Sequence, residues 1–196
     1  MKLIELRPGL RRWTAPHPDA EPNPKPGSPA DWGPDVGCVA YEAGDALLLV
    51  DPLVPDDGWA ELDALVERVG RPVALVVTIP FHRRSREAVT ERYGATETVP
   101  AGAEAIPIEA ADEAMVWLPG PRALVPGDRV LGDDAGGLRL CPQSWLAYLQ
   151  NGMTRAQLAD QLRPLLDLPI ELVLVSHGEP VLADGRDALA RAIDSA

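Results

Sequence analysis

Two apolar runs joined by one helix-length segment constrain this chain more than any other feature. Ala46-Leu-Leu-Leu-Val50 closes on Asp51-Pro52, and Val73-Ala-Leu-Val-Val77 closes on Thr78. Neither run alternates polar with apolar residues, so each reads as a strand buried on both faces. Between them Trp59, Leu62, Leu65, Val66 and Val69 recur at helical spacing. Residues 58–69 are therefore expected to form an amphipathic helix with Asp56 or Asp57 at its cap. Strand, helix and strand of these lengths make a crossover unit, which belongs in a sheet covered by helices.

The rest of the chain is read around that unit. Lys2–Leu6 is a candidate first strand, and Val36–Glu42 forms a hairpin with the first apolar run through Ala43-Gly44-Asp45. Residues 84–93 read as a helix. Strands are expected near 97–99, 105–108, 115–118, 122–125, 129–131 and 138–140, with a short helical piece at 145–149. Thr154-Arg-Ala-Gln157 fits a capping box that starts a helix running to about Leu166. Ile170–Val175 is another buried strand, and Asp184 caps a last helix through Ile193. This order fits a four-layer αββα sandwich of two mixed β-sheets flanked by helices, as a single domain over residues 1–196.

Composition then removes whole classes of partner. Lys plus Arg is 18 and Asp plus Glu is 30, a net charge of −12, which argues against a nucleic-acid groove or an anionic membrane surface. The two cysteines, Cys38 and Cys141, stand in no metal or redox spacing and are expected to be buried thiols. The first residues are too polar for a signal peptide, and no apolar run approaches roughly 18 residues, so a cytoplasmic protein is expected. Residues 14–34 carry seven prolines and form a long loop, anchored through Trp13 or Trp32. The plain reading is a flexible surface excursion; the functional one, since long loops without secondary structure in compact domains are often lids, is a flap over a site. His17 within it reads as an exposed loop histidine.

The chemistry concentrates after the second apolar strand, in Thr78-Ile-Pro-Phe-His82-Arg83-Arg84-Ser85. Pro80 cannot donate to a sheet ladder, so the strand ends near Thr78 and opens into a loop that presents one imidazole and the guanidiniums of Arg83, Arg84 and Arg86. Two other polar landmarks sit at strand ends, the Pro126-Gly127-Asp128 turn and Ser176-His177-Gly178. Ser85 lacks a third partner beyond His82, and no Gly-x-Ser-x-Gly elbow exists, so a serine nucleophile is not indicated. No catalytic residue is assigned from sequence.

Taken together, these landmarks resemble the metallo-β-lactamase fold superfamily over roughly residues 36–195. The resemblance rests on Leu48-Leu-Val-Asp51, the Thr78 strand end before a histidine-bearing loop, the Gly127-Asp128 turn and Ser176-His177-Gly178. It implies a hydrolase fold that uses one or two zinc or iron ions held by a His-x-His-x-Asp-His loop and later His, Asp and His ligands. Here that loop departs from the pattern. With His82 as its second histidine, Pro80, Arg84 and Ser85 occupy the other ligand positions; without a shift they are Ile79, Phe81, Arg83 and Arg84. The histidine expected before the Gly-Asp turn has no counterpart. The ligands that the resemblance leaves are His82, Asp128 and His177, while Asp51 matches a structural position.

Two metal ions need more ligand atoms than this, and a guanidinium beside His82 opposes a divalent ion. The expectation is therefore a degenerate member without a full metal centre and with no cofactor, a pseudoenzyme or a small-anion-binding protein. Its pocket would be lined by His82, Arg83, Arg84, Asp128 and His177. One alternative is a hydrolase of ester, thioester or lactone bonds with a single zinc or iron on His82, Asp128 and His177. Another is a structural or protein-interaction domain. In the metal-free case Asp128 needs a resident cation, and Arg84, or failing that Arg83, is expected to pair with it.

Overall fold

The computed structural model describes residues 1–133 and 135–196. β1 (Ile4–Arg7), β2 (Leu10–Pro16), β3 (Asp35–Ala43), β4 (Ala46–Val50) and β5 (Val73–Val76) form one sheet in that order. All neighbours are antiparallel except β4 and β5, which run parallel with Leu47 opposite Val73. That pair is the crossover unit, closed by α1 (Trp59–Val69), which ends on the left-handed Gly70. α2 (Arg86–Tyr93) follows β5 after an irregular loop.

The second sheet takes β6 (Glu104–Ile108), β7 (Glu113–Leu118) and β8 (Ala123–Val125), with β9 (Val130–Gly132) and β10 (Leu138–Leu140) as a separate hairpin. β11 (Leu172–Val173) joins β8 in parallel, so the order is β11-β8-β7-β6 and this sheet is mixed as well. The short α3 (Gln143–Leu146) precedes α4 (Arg155–Leu162) and α5 (Gly185–Asp194).

Side-chain alternation explains the layers. Along β4, Leu48 and Val50 face Val116, Leu118, Val125 and Leu174 between the sheets. Leu47 and Leu49 face the opposite way, onto Leu62 and Leu65 of α1 and Val89 of α2. Both faces of the strand are buried, which is why its sequence is apolar without interruption. Beyond the second sheet, Met115 and Leu124 pack against Leu158, Leu162, Leu189 and Ile193 of the C-terminal helices. The four-layer αββα arrangement is the one expected.

The departures are local. β2 extends to Pro16, where a loop was expected from Thr14, and pairs with β3 over seven residues. Its pattern was masked by Arg11 and Arg12; Arg11 turns outward to Glu5 and Glu42. Residues 97–99 form no strand; the only pairing nearby is an isolated bridge from Ala74 to Thr96. Thr154 and Gln157 form the capping box, whereas Asp184 precedes α5 with φ 53° and no side-chain cap. Both cysteines are buried free thiols, their pKa values pushed up to about 11 by burial. No described helix is long and apolar enough to cross a membrane.

Candidate metal centre

The parallel strands β4 and β5 end side by side, and Asp51 ties the two ends together. Its carboxylate accepts the Thr78 backbone N–H at 2.8 Å, the Thr78 hydroxyl, and Nδ1 of His82 at 2.8 Å. Asp51 holds φ 49°, a left-handed conformation that aspartate tolerates better than most residues. His82 sits on the single turn Pro80–Arg83, where Pro80 opens the turn and the His82 N–H bonds Ile79 O at 2.9 Å. Because the Asp51 carboxylate can only accept, Nδ1 carries the proton and Nε2 points across to the second sheet.

There it meets Asp128. His82 Nε2 lies 2.9 Å from Asp128 Oδ1, and His177 Nε2 lies 3.3 Å from the same oxygen. Neither contact is aligned as a hydrogen bond, and Oδ1 is buried without a partner. The three ligand atoms lie within 4.8 Å of one another.

The Asp128 turn is held from behind by a residue that sequence reading missed. Glu113, the first residue of β7, accepts the backbone N–H groups of Gly127, Asp128 and Arg129 at 3.0, 2.8 and 3.0 Å. Gly127 is required by this close fit, since a Cβ there would stand 2.7 Å from Thr78 Oγ1 and 2.9 Å from Glu113 Oε2. Burial pushes the Glu113 carboxyl up to about 7, with Arg129 opposing the shift. The only signal in the sequence is a charged residue opening an otherwise apolar strand.

The expected Arg84–Asp128 ion pair does not form. Within 4.0 Å, and among the described residues, Asp128 has only the two imidazoles as basic partners. Arg84 instead clamps three chain segments: Nη1 donates to Gly37 O at 3.2 Å and Asp51 O at 2.9 Å, and Nη2 to Ser176 Oγ at 2.6 Å. Its backbone sits at φ 37°. Arg83 is exposed and lines a separate polar depression with Arg86, Glu97 and Glu109, outside the cavity of the candidate centre. Of the five residues expected to line one pocket, four do so: His82, Arg84, Asp128 and His177.

The electrostatics follow from burial and neighbours. Burial disfavours a charged His82, but Asp128 and Asp51 on either side outweigh it and raise its pKa to about 9. Burial works against ionised Asp128 too, yet His82 and His177 hold its carboxyl well below the usual range. For His177 desolvation wins and its pKa is lowered. A neutral His82 would set a lone pair against a carboxylate, so this site requires a cation between them, a proton or a metal ion.

The donor set fits a metal. Two ligands of a tetrahedral ion at about 2.0–2.1 Å stand roughly 3.3 Å apart, which the His177–Asp128 separation of 3.3 Å matches and the His82–Asp128 separation of 2.9 Å would reach by opening slightly. Two imidazole nitrogens and one carboxylate oxygen leave a position open, as catalytic single-ion sites do. The Asp51 carboxylate behind His82 Nδ1 is the outer partner that such a ligand normally has. No other cluster of potential ligands exists among the described residues, so a second ion has no ligands of its own.

Above these residues lies a cavity of about 610 Å³, walled by Trp32, Phe81, Trp145 and Tyr148. The Pro-rich segment forms one side of it: Trp145 Nε1 donates to Ser28 O at 3.2 Å and Ser144 Oγ to Gly27 O at 2.7 Å. The Trp32 ring is tilted against that of His177 with centroids 5.3 Å apart, as a flap over the site would require, whereas Trp13 is buried under the first sheet and donates to Leu53 O. His17, expected to be an exposed loop residue, is half-buried in the same wall, 5.2 Å from Trp32.

No protein-family model matches this sequence, and no curated protein is similar to it. Solved structures do match. VMB-1 superposes with a TM-score of 0.66 at 16% identity, over 99% of this chain and 97% of that one. The DIM-1 metallo-β-lactamase gives 0.64 at 13% identity over 99% and 97%. The metallo-β-lactamase FIM-1 from Pseudomonas aeruginosa, in a mono-zinc form, gives 0.61 at 12% identity over 99% and 95%. Identities this low establish shared architecture. The chain has the metallo-β-lactamase fold in a divergent form, with a partial His/Asp cluster at its centre.

Proposed function

We propose that the protein is a hydrolase working with one zinc or iron ion held by His82, Asp128 and His177, and that it opens ester, thioester or lactone bonds. One observation carries this reading. Asp128 Oδ1 is buried without a hydrogen bond in the crook of two imidazole Nε2 atoms, a cost of about 1–3 kcal/mol that a ligated cation would remove. Arg84, the cation expected to offset Asp128, is committed elsewhere.

A divalent ion in this position supplies Lewis acidity toward a carbonyl oxygen and an acidified water as nucleophile. The chain's own residues do the rest. Asp51 fixes the tautomer and aim of His82 through Nδ1, and Glu113 fixes the turn that presents Asp128. Trp32 and Trp145 around His177 keep bulk water from the reacting bond. In the overall reaction the water oxygen bonds the acyl carbon, the C–O or C–S bond breaks, and the departing alcohol or thiol takes the proton.

A second reading has its own support. With no ion, a protonated His82 bridges Asp51 and Asp128, a proton stands where the metal would, and the protein is a pseudoenzyme that binds small anions. Elemental analysis separates the two. After chelation, zinc loading and dialysis, the hydrolase reading expects about one ion per chain, lost in His177→Ala, and release of protons on binding. Protein that retains no stoichiometric ion leaves the bridged, metal-free form as the functional one.

A further inference from the structure

The cavity above the candidate centre is far larger than a water or an inorganic anion needs, and its walls are aromatic. Phe81, the only phenylalanine in the chain, directly precedes His82 and is the most exposed large apolar residue, at 60%. It meets Tyr148, itself 36% exposed, edge to face at 4.9 Å. Trp145 and Trp32 close the inner end against His177. Exposed aromatic rings arranged around a pocket are a binding surface for a flat apolar group.

The polar groups are as selective as the walls. The cavity is lined by Arg84 and Arg129 as well as Asp19 and Asp128, so its wall is close to balanced in a chain whose net charge is −12. His17 faces it from the Pro-rich segment. Its Nδ1 accepts the Asp19 N–H at 3.2 Å, so a neutral His17 must carry its hydrogen on Nε2. Burial and the nearby Arg84 keep it neutral by lowering its pKa, with Asp19 opposing. His17 is therefore a hydrogen-bond donor in the wall of the cavity that also holds the candidate ligands.

We propose that the substrate is an ester or thioester of a carboxylic acid with a flat apolar body, that this body lies among Phe81, Tyr148, Trp145 and Trp32, and that His17 Nε2 donates to the acyl oxygen. The assignment of an ester-type bond rests on the hydrolase reading above; the fit of an aryl-bearing acid to the cavity does not. The acid is the half of the substrate that carries both the oxygen and the body, so the product acid is the informative probe.

The experiment measures binding of 3-phenylpropionate, propionate and 3-phenylpropan-1-ol by calorimetry and by tryptophan fluorescence, on zinc-loaded and chelator-treated protein. On the zinc-loaded form 3-phenylpropionate is expected to bind about tenfold tighter than either partial probe. Phe81→Ala, at an exposed position, should weaken the aryl acid about three- to tenfold and leave propionate unchanged. His17→Ala should weaken both acids several-fold, with His17→Gln, which keeps an N–H donor, recovering part of the loss. If zinc does not bind, the hydrolase reading fails, yet the preference for the aryl acid must persist in the chelated protein. Equal binding of the two acids in both forms, tighter binding of the alcohol, or no effect of Phe81→Ala would overturn the proposal.

Discussion

The two walls of the candidate centre are built to opposite rules. On the side of the five-stranded sheet the carboxylate of Asp51 is saturated by Thr78 and His82, and Arg84 spreads its terminal nitrogens over Gly37, Asp51 and Ser176. On the side of the four-stranded sheet Asp128 Oδ1 and His177 Nδ1 are buried with no hydrogen-bond partner. Asp128 and His177 are somewhat less buried than Asp51 and His82, and although Arg84 Nε on the first wall also lacks a partner, no carboxylate oxygen there does. A saturated buried network fixes geometry, whereas a buried carboxylate oxygen left without a hydrogen bond marks where a ligand makes the missing bond. The first wall is framework and the second is the working face.

The largest effect should come from breaking the framework. Asp51→Ala strips the acceptor from three buried donors at once, and a loss of about 3–5 kcal/mol is expected from urea unfolding of the metal-free protein. Asp128→Asn on the opposite wall removes no made hydrogen bond but takes one of the two anions from protonated His82, and should cost about 1–2 kcal/mol in the same assay, clearly less than Asp51→Ala. Comparable losses for the two variants would erase the distinction between the walls.

Arg84 sharpens the same comparison. Reading the sequence, a guanidinium at a lost ligand position looked like the partner of Asp128, which would make the two strongly coupled. The structure gives them no shared hydrogen-bond partner. Arg84→Ala is expected to cost about 2–3 kcal/mol because it frees buried carbonyls and a hydroxyl. The cost should be the same within about 0.5 kcal/mol in an Asp128→Asn background. A coupling energy above about 1 kcal/mol in that double-mutant cycle would restore the ion pair.

What sequence could and could not reveal follows the same line. The framework was legible because its parts are local. Asp51 and Thr78 are the first polar residues after uninterrupted apolar runs, and a strand buried on both faces announces its end that way. The layers were legible too, since Leu47 to Val50 alternate between two cores and must therefore lie between them. The working face depends on contacts across long stretches of chain. His82, Asp128 and His177 could be singled out as strand-end residues, but nothing local says which way a guanidinium next to His82 will turn. Its acceptors are the carbonyls of Gly37, on β3, and Asp51, just past β4, 33 and more residues away in sequence. Glu113 and His17 were missed for the same reason, because each acts on a turn or cavity formed by distant segments.

The smallest expected effect concerns the proton that substitutes for a metal. In the metal-free fold His82 has its pKa raised to about 9 from an ordinary 6.5, burial opposing and the carboxylates of Asp128 and Asp51 driving the shift. A group whose folded pKa is raised stabilises the fold fully below its unfolded pKa, and the contribution fades as pH rises through the folded value. The melting temperature of chelated protein should therefore fall by a few degrees between pH 6.5 and pH 9, and Asp128→Asn, which removes one of the two anions, should flatten the fall. Glu113 has the same sign, but its pKa rises from 4.5 to about 7, so most of its loss precedes that window and only the remainder falls within its first unit or so. Zinc competes for the same nitrogen as the proton, so the stabilisation that zinc confers should grow across the range in which the proton's contribution declines. Melting curves of chelated and zinc-loaded protein at several pH values test both trends. A chelated protein with a flat profile would mean that His82 is not the cation between Asp51 and Asp128, and that a metal ion is needed to complete this wall at every pH.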